Sequence, residues 1–119
     1  MRISELSAKT RVSVHRLRRY EAAGLIVSQR LPNGYRDYDE STIRPVVFIA
    51  MSREMGFSLP FIAEYVPKFQ AGQLTPQDMI EAIHQRVADI DKVIAEHKAL
   101  RKKLIDHMGW FENKQRKSK

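Results

Sequence analysis

Three features of the 119-residue sequence predict a mainly α fold, a winged helix-turn-helix domain followed by a long coiled-coil helix. Two short capped helices lie within the first 24 residues, about three residues apart, which is the helix-turn-helix pattern. An Asn33-Gly34 pair follows a β-prone run and marks a hairpin. Beyond Thr75, apolar residues recur at alternating intervals of three and four, the signature of a helix–helix seam. The expected organisation is a winged helix-turn-helix domain over residues 1–72, a dimerisation helix over 75–109 and a basic tail over 110–119, expected to be disordered.

Ser4 is the expected N-cap of a first helix whose apolar side is Leu6 and Ala8 and which stops near Thr10. Ser13 caps a second helix, Val14 to Ala23, and Gly24 supplies its left-handed C-cap. At about 100° per residue, Val14, Leu17 and Glu21 fall together, His15, Arg16 and Arg19 fall opposite, and Arg18 and Tyr20 flank the two faces. One stripe holds the helix to a core, while the other side presents arginines and a histidine. The planar fork of arginine grips a phosphate or a guanine edge in bidentate fashion. A helix reads the major groove from its N-terminal turns, where His15 and Arg16 stand. Almost no acid balances these arginines, which weighs against a merely solvated face.

Leu25-Ile26-Val27 is a β-prone run, and Pro32-Asn33-Gly34-Tyr35-Arg36-Asp37-Tyr38 carries the turn and the returning strand. A type I′ turn at Asn33-Gly34 requires positive φ at both residues. An isolated hairpin is marginal, so this one must pack on the helices as a wing. Arg36 is then offered to a phosphate, and each of Tyr35 and Tyr38 either packs the wing or touches DNA.

Asp39 is the expected cap of a third helix reaching about Met55, with Ile43, Val46, Val47, Phe48 and Met51 as apolar positions and Pro45 distorting the early turns. Ser58 caps a fourth, with Pro60 in its first turn, a buried face of Phe61, Ile62 and Tyr65, and Pro67 ending or kinking it before an Ala71-Gly72 linker. Thr75-Pro76-Gln77-Asp78 is a strong helix start, and no breaker follows until Gly109, giving on the order of 50 Å of helix. The seam reads Ile80, Ile83, Val87, Ile90, Ile94, His97, Arg101, Leu104 and Met108, with Met79, Val93 and Leu100 widening it. A small domain cannot bury so long a stripe, so a homodimer is expected. His97 and Arg101 fit either an edge of the coil or a buried switch. Trp110 and Phe111, just past Gly109, are expected to fold back on the helix, the alternative being the wall of a ligand pocket.

The net charge is +7, and its excess is uneven. Residues 1–38 hold eight Lys/Arg against three Asp/Glu, and residues 113–119 hold four against none. Such a basic patch on a folded segment attracts nucleic acid, because neutralised phosphates release counterions. The absence of cysteine excludes disulfides, thiolate metal sites and thiol-based sensing within this sequence. His84, His97 and His107 lack metal-ligand spacing. No nucleophile–base set and no Gly-rich phosphate loop argues for an enzyme, and no cofactor is expected. With no membrane-length apolar run and no signal-peptide pattern, a cytoplasmic protein is expected.

Ile3-Ser4-Glu5-Leu6, Val12-Ser13-Val14, Leu17-Arg18, Tyr20-Glu21, Gly24-Leu25, Asn33-Gly34-Tyr35-Arg36 with Tyr38, and Gly56-Phe57-Ser58-Leu59 together resemble the MerR family of bacterial transcription regulators. The resemblance covers residues 1 to about 108. It implies a winged-helix homodimer, joined by an antiparallel coil, that binds a palindromic operator in double-stranded DNA and bends and untwists an over-long promoter spacer for RNA polymerase. By position it implies Arg16 as a base or phosphate reader, Arg18 and Tyr20 as a backbone-gripping pair, and Arg36 and Tyr38 as wing contacts, with Arg30 an addition. The sequence departs from the family at Arg11, a turn position usually glycine, at Arg19, often aromatic, and at Pro45 and Pro67. It also lacks the cysteines of metal-sensing members, which leaves the effector unidentified. A DNA-architectural or recombination factor of the same fold, or a protein-interaction module built on the coil, are the alternative functions.

Overall fold

A computed structural model describes residues 1–117. It contains α1 (Ile3–Thr10), α2 (Val14–Ala22), a two-stranded hairpin of β1 (Gln29–Arg30) and β2 (Arg36–Asp37), a 3₁₀ turn (Glu40–Thr42), α3 (Ile43–Glu54), α4 (Leu59–Gln70) and α5 (Pro76–Lys117). The chain divides between Thr75 and Pro76 into two compact units.

In the first unit, α1, α2, α3 and α4 enclose Leu6, Val12, Leu17, Val46, Ile49 and Ile62, and the hairpin adds Tyr38 to this core. Helix α1 begins two residues earlier than expected. Arg2, not Ser4, is its N-cap, and no side chain caps it. The turn into α2 passes through Arg11, whose φ of 59° makes it the one left-handed non-glycine residue among those described. Its N–H closes α1 on the Ser7 carbonyl, and Val12 beyond it is buried. Left-handed backbone costs a residue with a Cβ about 1–2 kcal/mol, so this is where the departure from glycine is felt. Ser13 caps α2 as expected, accepting from the Arg16 N–H, and Gly24 has φ 76°.

The hairpin pairs Gln29 with Asp37 and Arg30 with Arg36. Its turn differs from type I′, because Gly34 (φ 85°) has positive φ and Asn33 does not. Pro32 occupies the first central position, where its fixed negative φ suits a type I turn closed by Gly34 N–H to the Leu31 carbonyl at 2.9 Å. Asn33 contributes its side chain instead, its Oδ1 accepting from the Tyr35 N–H.

Asp39 caps the 3₁₀ turn rather than a continuous helix. Pro45 is then the third residue of α3, where an N–H has no intrahelical partner to lose, and it is buried. Of the apolar positions of α3, Val47 and Met51 are exposed, whereas Val46, Phe48 and Ile49 are buried. Helix α4 is capped by Ser58 and runs through Pro67 to Gln70. Proline there removes one late hydrogen bond, while Phe69 in the last turn stacks on Phe48 at 4.4 Å and holds the turn in place. Gly72 (φ 69°) closes α4.

Helix α5 has 42 residues, on the order of 60 Å. It does not stop at Gly109, and the expected disorder from residue 110 is replaced by helix as far as Lys117. One glycine costs a helix about 1 kcal/mol. Lys114, Arg116 and Lys117 in the last turn favour continuation by complementing the helix dipole. Ser118 and Lys119 lie outside the described residues. No helix among the described residues is long and apolar enough to cross a membrane.

Candidate nucleic-acid interface

Helix α2 is anchored by Leu17 and Tyr20 and leaves His15, Arg18 and Arg19 exposed. Arg16 is half-buried. Its Nη2 donates to the Tyr20 hydroxyl at 2.9 Å, and its guanidinium lies 5.9 Å from the centre of the Tyr20 ring. Tyr20 therefore belongs to the core and holds Arg16, which corrects its placement on the flank beside Arg18. The Val14, Leu17, Glu21 stripe faces inward as expected, with Leu17 buried and Val14 and Glu21 partly so, and Tyr20 joins it.

Beside this helix a groove is lined by Arg16, Arg19, Tyr20, Arg53, Glu54 and Leu59. Arg53 comes from the end of α3, and its Nη1 donates to the Phe57 carbonyl at 2.8 Å. The groove thus gathers three arginines from two helices. Sequence reasoning missed Arg53 because it sits in a charge-balanced stretch.

Glu21 joins α2 to the wing. One carboxylate oxygen accepts from the Tyr38 hydroxyl; the other accepts from Ser28 Oγ at 2.8 Å and lies 3.7 Å from Arg36 Nε. Burial by itself raises the Glu21 pKa, but the hydrogen bonds from Tyr38 and Ser28 and the charges of Arg36 and Arg30 outweigh it and hold the carboxyl below its ordinary value. Burial, and then the bond to Glu21, push the Tyr38 phenol up, so it stays a donor. Tyr38 is fully buried, which corrects its assignment as a wing contact to DNA. Its role is to fasten the wing. Nothing in the residue type separates a fastening tyrosine from a DNA-facing one, although the Tyr20-Glu21 pair placed a carboxylate within reach.

The exposed wing carries Arg30, Tyr35 and Arg36. Arg30 and Arg36 are directly opposed across the hairpin, an arrangement that like charges destabilise unless an anion is near. Glu21 meets part of this need through Arg36. Tyr35 is exposed, with the Arg2 guanidinium 4.6 Å from its ring centre. Arg2 is a second cation that sequence reasoning did not place at the wing. At its base, the Met1 nitrogen donates to Asp37 Oδ1 (2.8 Å) and to the Tyr38 carbonyl (2.7 Å). The result is an exposed cationic surface of helix, groove and wing, held in place by Tyr20 and Glu21. Among the described residues, no three His, Cys, Asp or Glu side chains form a metal-binding group.

Residues 1–68 match the MerR HTH family of regulatory proteins, and residues 43–107 match the MerR DNA-binding family. The chain belongs to the MerR family of transcription regulators. It is 30% identical over 104 residues to the HTH-type transcriptional regulator HmrR of Rhizobium leguminosarum bv. viciae, covering 87% of this chain and 81% of that one. It is 31% identical over 106 residues to the mercuric resistance operon regulatory protein of Bacillus cereus, covering 88% and 80%. Among solved structures, a transcription regulator from Ralstonia metallidurans in complex with lead(II) superposes with TM-score 0.71 at 27% identity, over 89% of this chain and 83% of that one. A MerR-family regulator lacking the sensor domain, bound to promoter DNA, shares the fold with TM-score 0.52 at 18% identity, over 94% and 90%. Like its relatives, this MerR-family chain is a transcription regulator with a DNA-binding domain and not an enzyme.

Proposed function

We propose that this MerR-family regulator acts as a homodimer on a palindromic promoter operator. The α2 face enters the major groove, and the wing lies along the backbone. The observation that carries the reading is the exposed cationic surface of α2 and the wing: His15, Arg18 and Arg19 are open to solvent, and Arg30 and Arg36 are opposed across the hairpin. Arg16 is the base reader, because the Tyr20 hydroxyl and ring give its guanidinium one orientation. Arg18, Arg19, Arg30 and Arg36 neutralise phosphates.

Dimerisation runs through α5. Ile80, Ile83, Val87, Ile90, Ile94, Leu104 and Met108 are each 40–61% exposed in the protomer, and a second copy buries them. Two joined DNA-binding units impose their two-fold symmetry on the operator. Bending and untwisting of the promoter spacer, read by RNA polymerase, is the mode of action that family membership suggests.

The test is selection of bound duplexes from random sequence, followed by promoter transcription with purified polymerase. A palindrome inside an over-long promoter spacer, and transcription that changes with the regulator, are expected. A site away from promoters, with no effect on transcription, indicates an architectural factor instead. Binding should weaken steeply with salt, with a slope of log K against log salt on the order of −6 to −10.

A further inference from the structure

Because α5 passes through Gly109 without a break, its seam extends beyond Met108. The next three-residue step falls on Phe111, which is 64% exposed and packs its ring at right angles to Trp110. We infer that Phe111 is the end residue of the dimer seam, closing against the partner's Ile80 in an antiparallel coil of one defined register. This rests on the homodimer proposed above and specifies its interface.

The charge along α5 selects the orientation. Residues 76–92 hold four acids and two bases, while residues 93–117 hold three acids and seven bases. An antiparallel pair sets each acidic half against a basic half. A parallel pair sets the two basic halves together and stacks Arg101 on the partner's Arg101.

The seam then selects the register. Core layers of an antiparallel coil alternate the two heptad core positions across the dyad. With Phe111 included, the ten seam positions pair completely. Ile80 meets the partner's Phe111, Ile83 the partner's Met108, and Val87 the partner's Leu104. Ile90 meets the partner's Arg101, and Ile94 meets the partner's His97 beside the dyad. The His97 ring already has one nitrogen engaged, because Nδ1 donates to the Val93 carbonyl at 2.9 Å.

The flanking positions agree. Asp91 comes opposite the partner's Lys98, an attractive pair formed twice. Val93 comes opposite the partner's Leu100, which explains why these two positions widen the stripe. Of the two neighbouring registers, each slid by about 10 Å (seven residues of helix rise), one opposes Lys98 to the partner's Lys98 and leaves Ile80 and Ile83 unpaired, and the other does the reverse of these agreements. It opposes Asp91 to the partner's Asp91, sets Val87 on the partner's His97, and leaves Met108 and Phe111 unpaired. Like charges in contact and two uncovered apolar residues at each end disfavour both. Because α5 is covalently joined to the DNA-binding unit, a slide of this size alters half-site spacing.

Since the sequence contains no cysteine, introduced thiols report the register cleanly. The full chain carrying Val87→Cys with Leu104→Cys, equilibrated in a glutathione redox buffer, should run as a covalent dimer on non-reducing electrophoresis. Val87→Cys with His97→Cys should not. The reverse result, or no cross-link from either pair, overturns the register while a wild-type dimer in sedimentation leaves the homodimer standing. A wild-type monomer at micromolar concentration overturns both. Phe111→Ala should weaken dimerisation on the order of a hundredfold, since each dimer contains two such layers, and Phe111→Leu should restore it to within about threefold. Unchanged dimerisation in Phe111→Ala would remove Phe111 from the interface.

Discussion

The two units of this chain place their apolar residues in opposite ways. In the first, Leu6, Leu17, Ile49, Ile62 and Val46 are sealed where α1 packs on α2 and α3 and α3 packs on α4, and even Tyr38 is drawn fully inside. In α5, isoleucines as apolar as any in that core remain 40–47% exposed at positions 80, 83, 90 and 94. The first unit therefore has its own core. The second is a periodic apolar stripe left exposed, and isolated helices draw little stability from propensity alone. A unit with its own core can hold arginines in set directions. In the homodimer proposed above, the stripe sets the distance and symmetry between two such units.

The sharpest way to break this contrast is to put charge on the stripe. Ile90→Asp with Ile94→Asp should abolish dimerisation, because an ionised carboxylate buried in a seam without a partner is costly. Operator affinity should fall by more than a hundredfold. The first unit should retain its native dispersion of amide resonances, observed by NMR, because neither residue contributes to its core. Loss of that dispersion would show that the two units are not independent.

Substitutions on the α2 face separate its two kinds of arginine. Arg18→Ala should weaken all duplexes alike, by about tenfold, and reduce the salt slope by about one for each protomer. Arg16→Ala should instead compress the ratio between operator and random DNA, as should Tyr20→Phe, which removes the hydroxyl that holds Arg16. Competition binding at three salt concentrations checks both. An unchanged slope in Arg18→Ala would remove it from the phosphate-facing surface.

The wing latch should respond to pH. The Glu21 pKa is lowered by folding, so its contribution is present above the ordinary carboxylate value of 4.5 and is lost as pH falls through the lower folded value. Glu21→Gln leaves the Tyr38 and Ser28 donors worse matched and removes the countercharge of Arg36. It should lower unfolding stability at neutral pH by about 1–3 kcal/mol and flatten the acid limb of the stability profile. Chemical denaturation between pH 3 and 7 tests this, and an acid limb identical to wild type would show that Glu21 does not carry it.

The smallest effect is expected at the left-handed turn. Arg11→Gly should stabilise the first unit by about 1 kcal/mol, read from the denaturation midpoint. If DNA affinity falls at the same time, Arg11 earns its strained position as a phosphate contact. If affinity holds, the strain has no counterpart in binding.

Much of this protein was legible in short stretches. Ser13, Ser58 and Gly24 announced helix ends because capping is chemistry between residues three or four apart. The alternating three- and four-residue spacing marked α5 because a single helix imposes that period on itself. The basic character of the first 38 residues was likewise countable, and with it the attraction to nucleic acid. Some local readings still failed where two residues competed for one position. Pro32 outweighed Asn33-Gly34 in choosing the turn, and a single glycine at 109 was too weak a signal to stop a helix already 33 residues long.

What only the tertiary structure decided was which of several equivalent side chains faces inward. Tyr20, Tyr35 and Tyr38 have the same donor, ring and size, and their sequence spacing leaves each free to pack or to bind. The fold separates them by long-range contacts. Tyr38 reaches Glu21 across 17 positions, Tyr20 is closed in beside Arg16, and Tyr35 is left outside beneath Arg2. Arg53 joins the groove of α2 only because α3 returns past it. Periodicity and capping act within one turn of chain, so sequence determines them directly. The direction of a side chain in a small core is settled by which neighbours the whole chain brings to it, and that is a property of the packing alone.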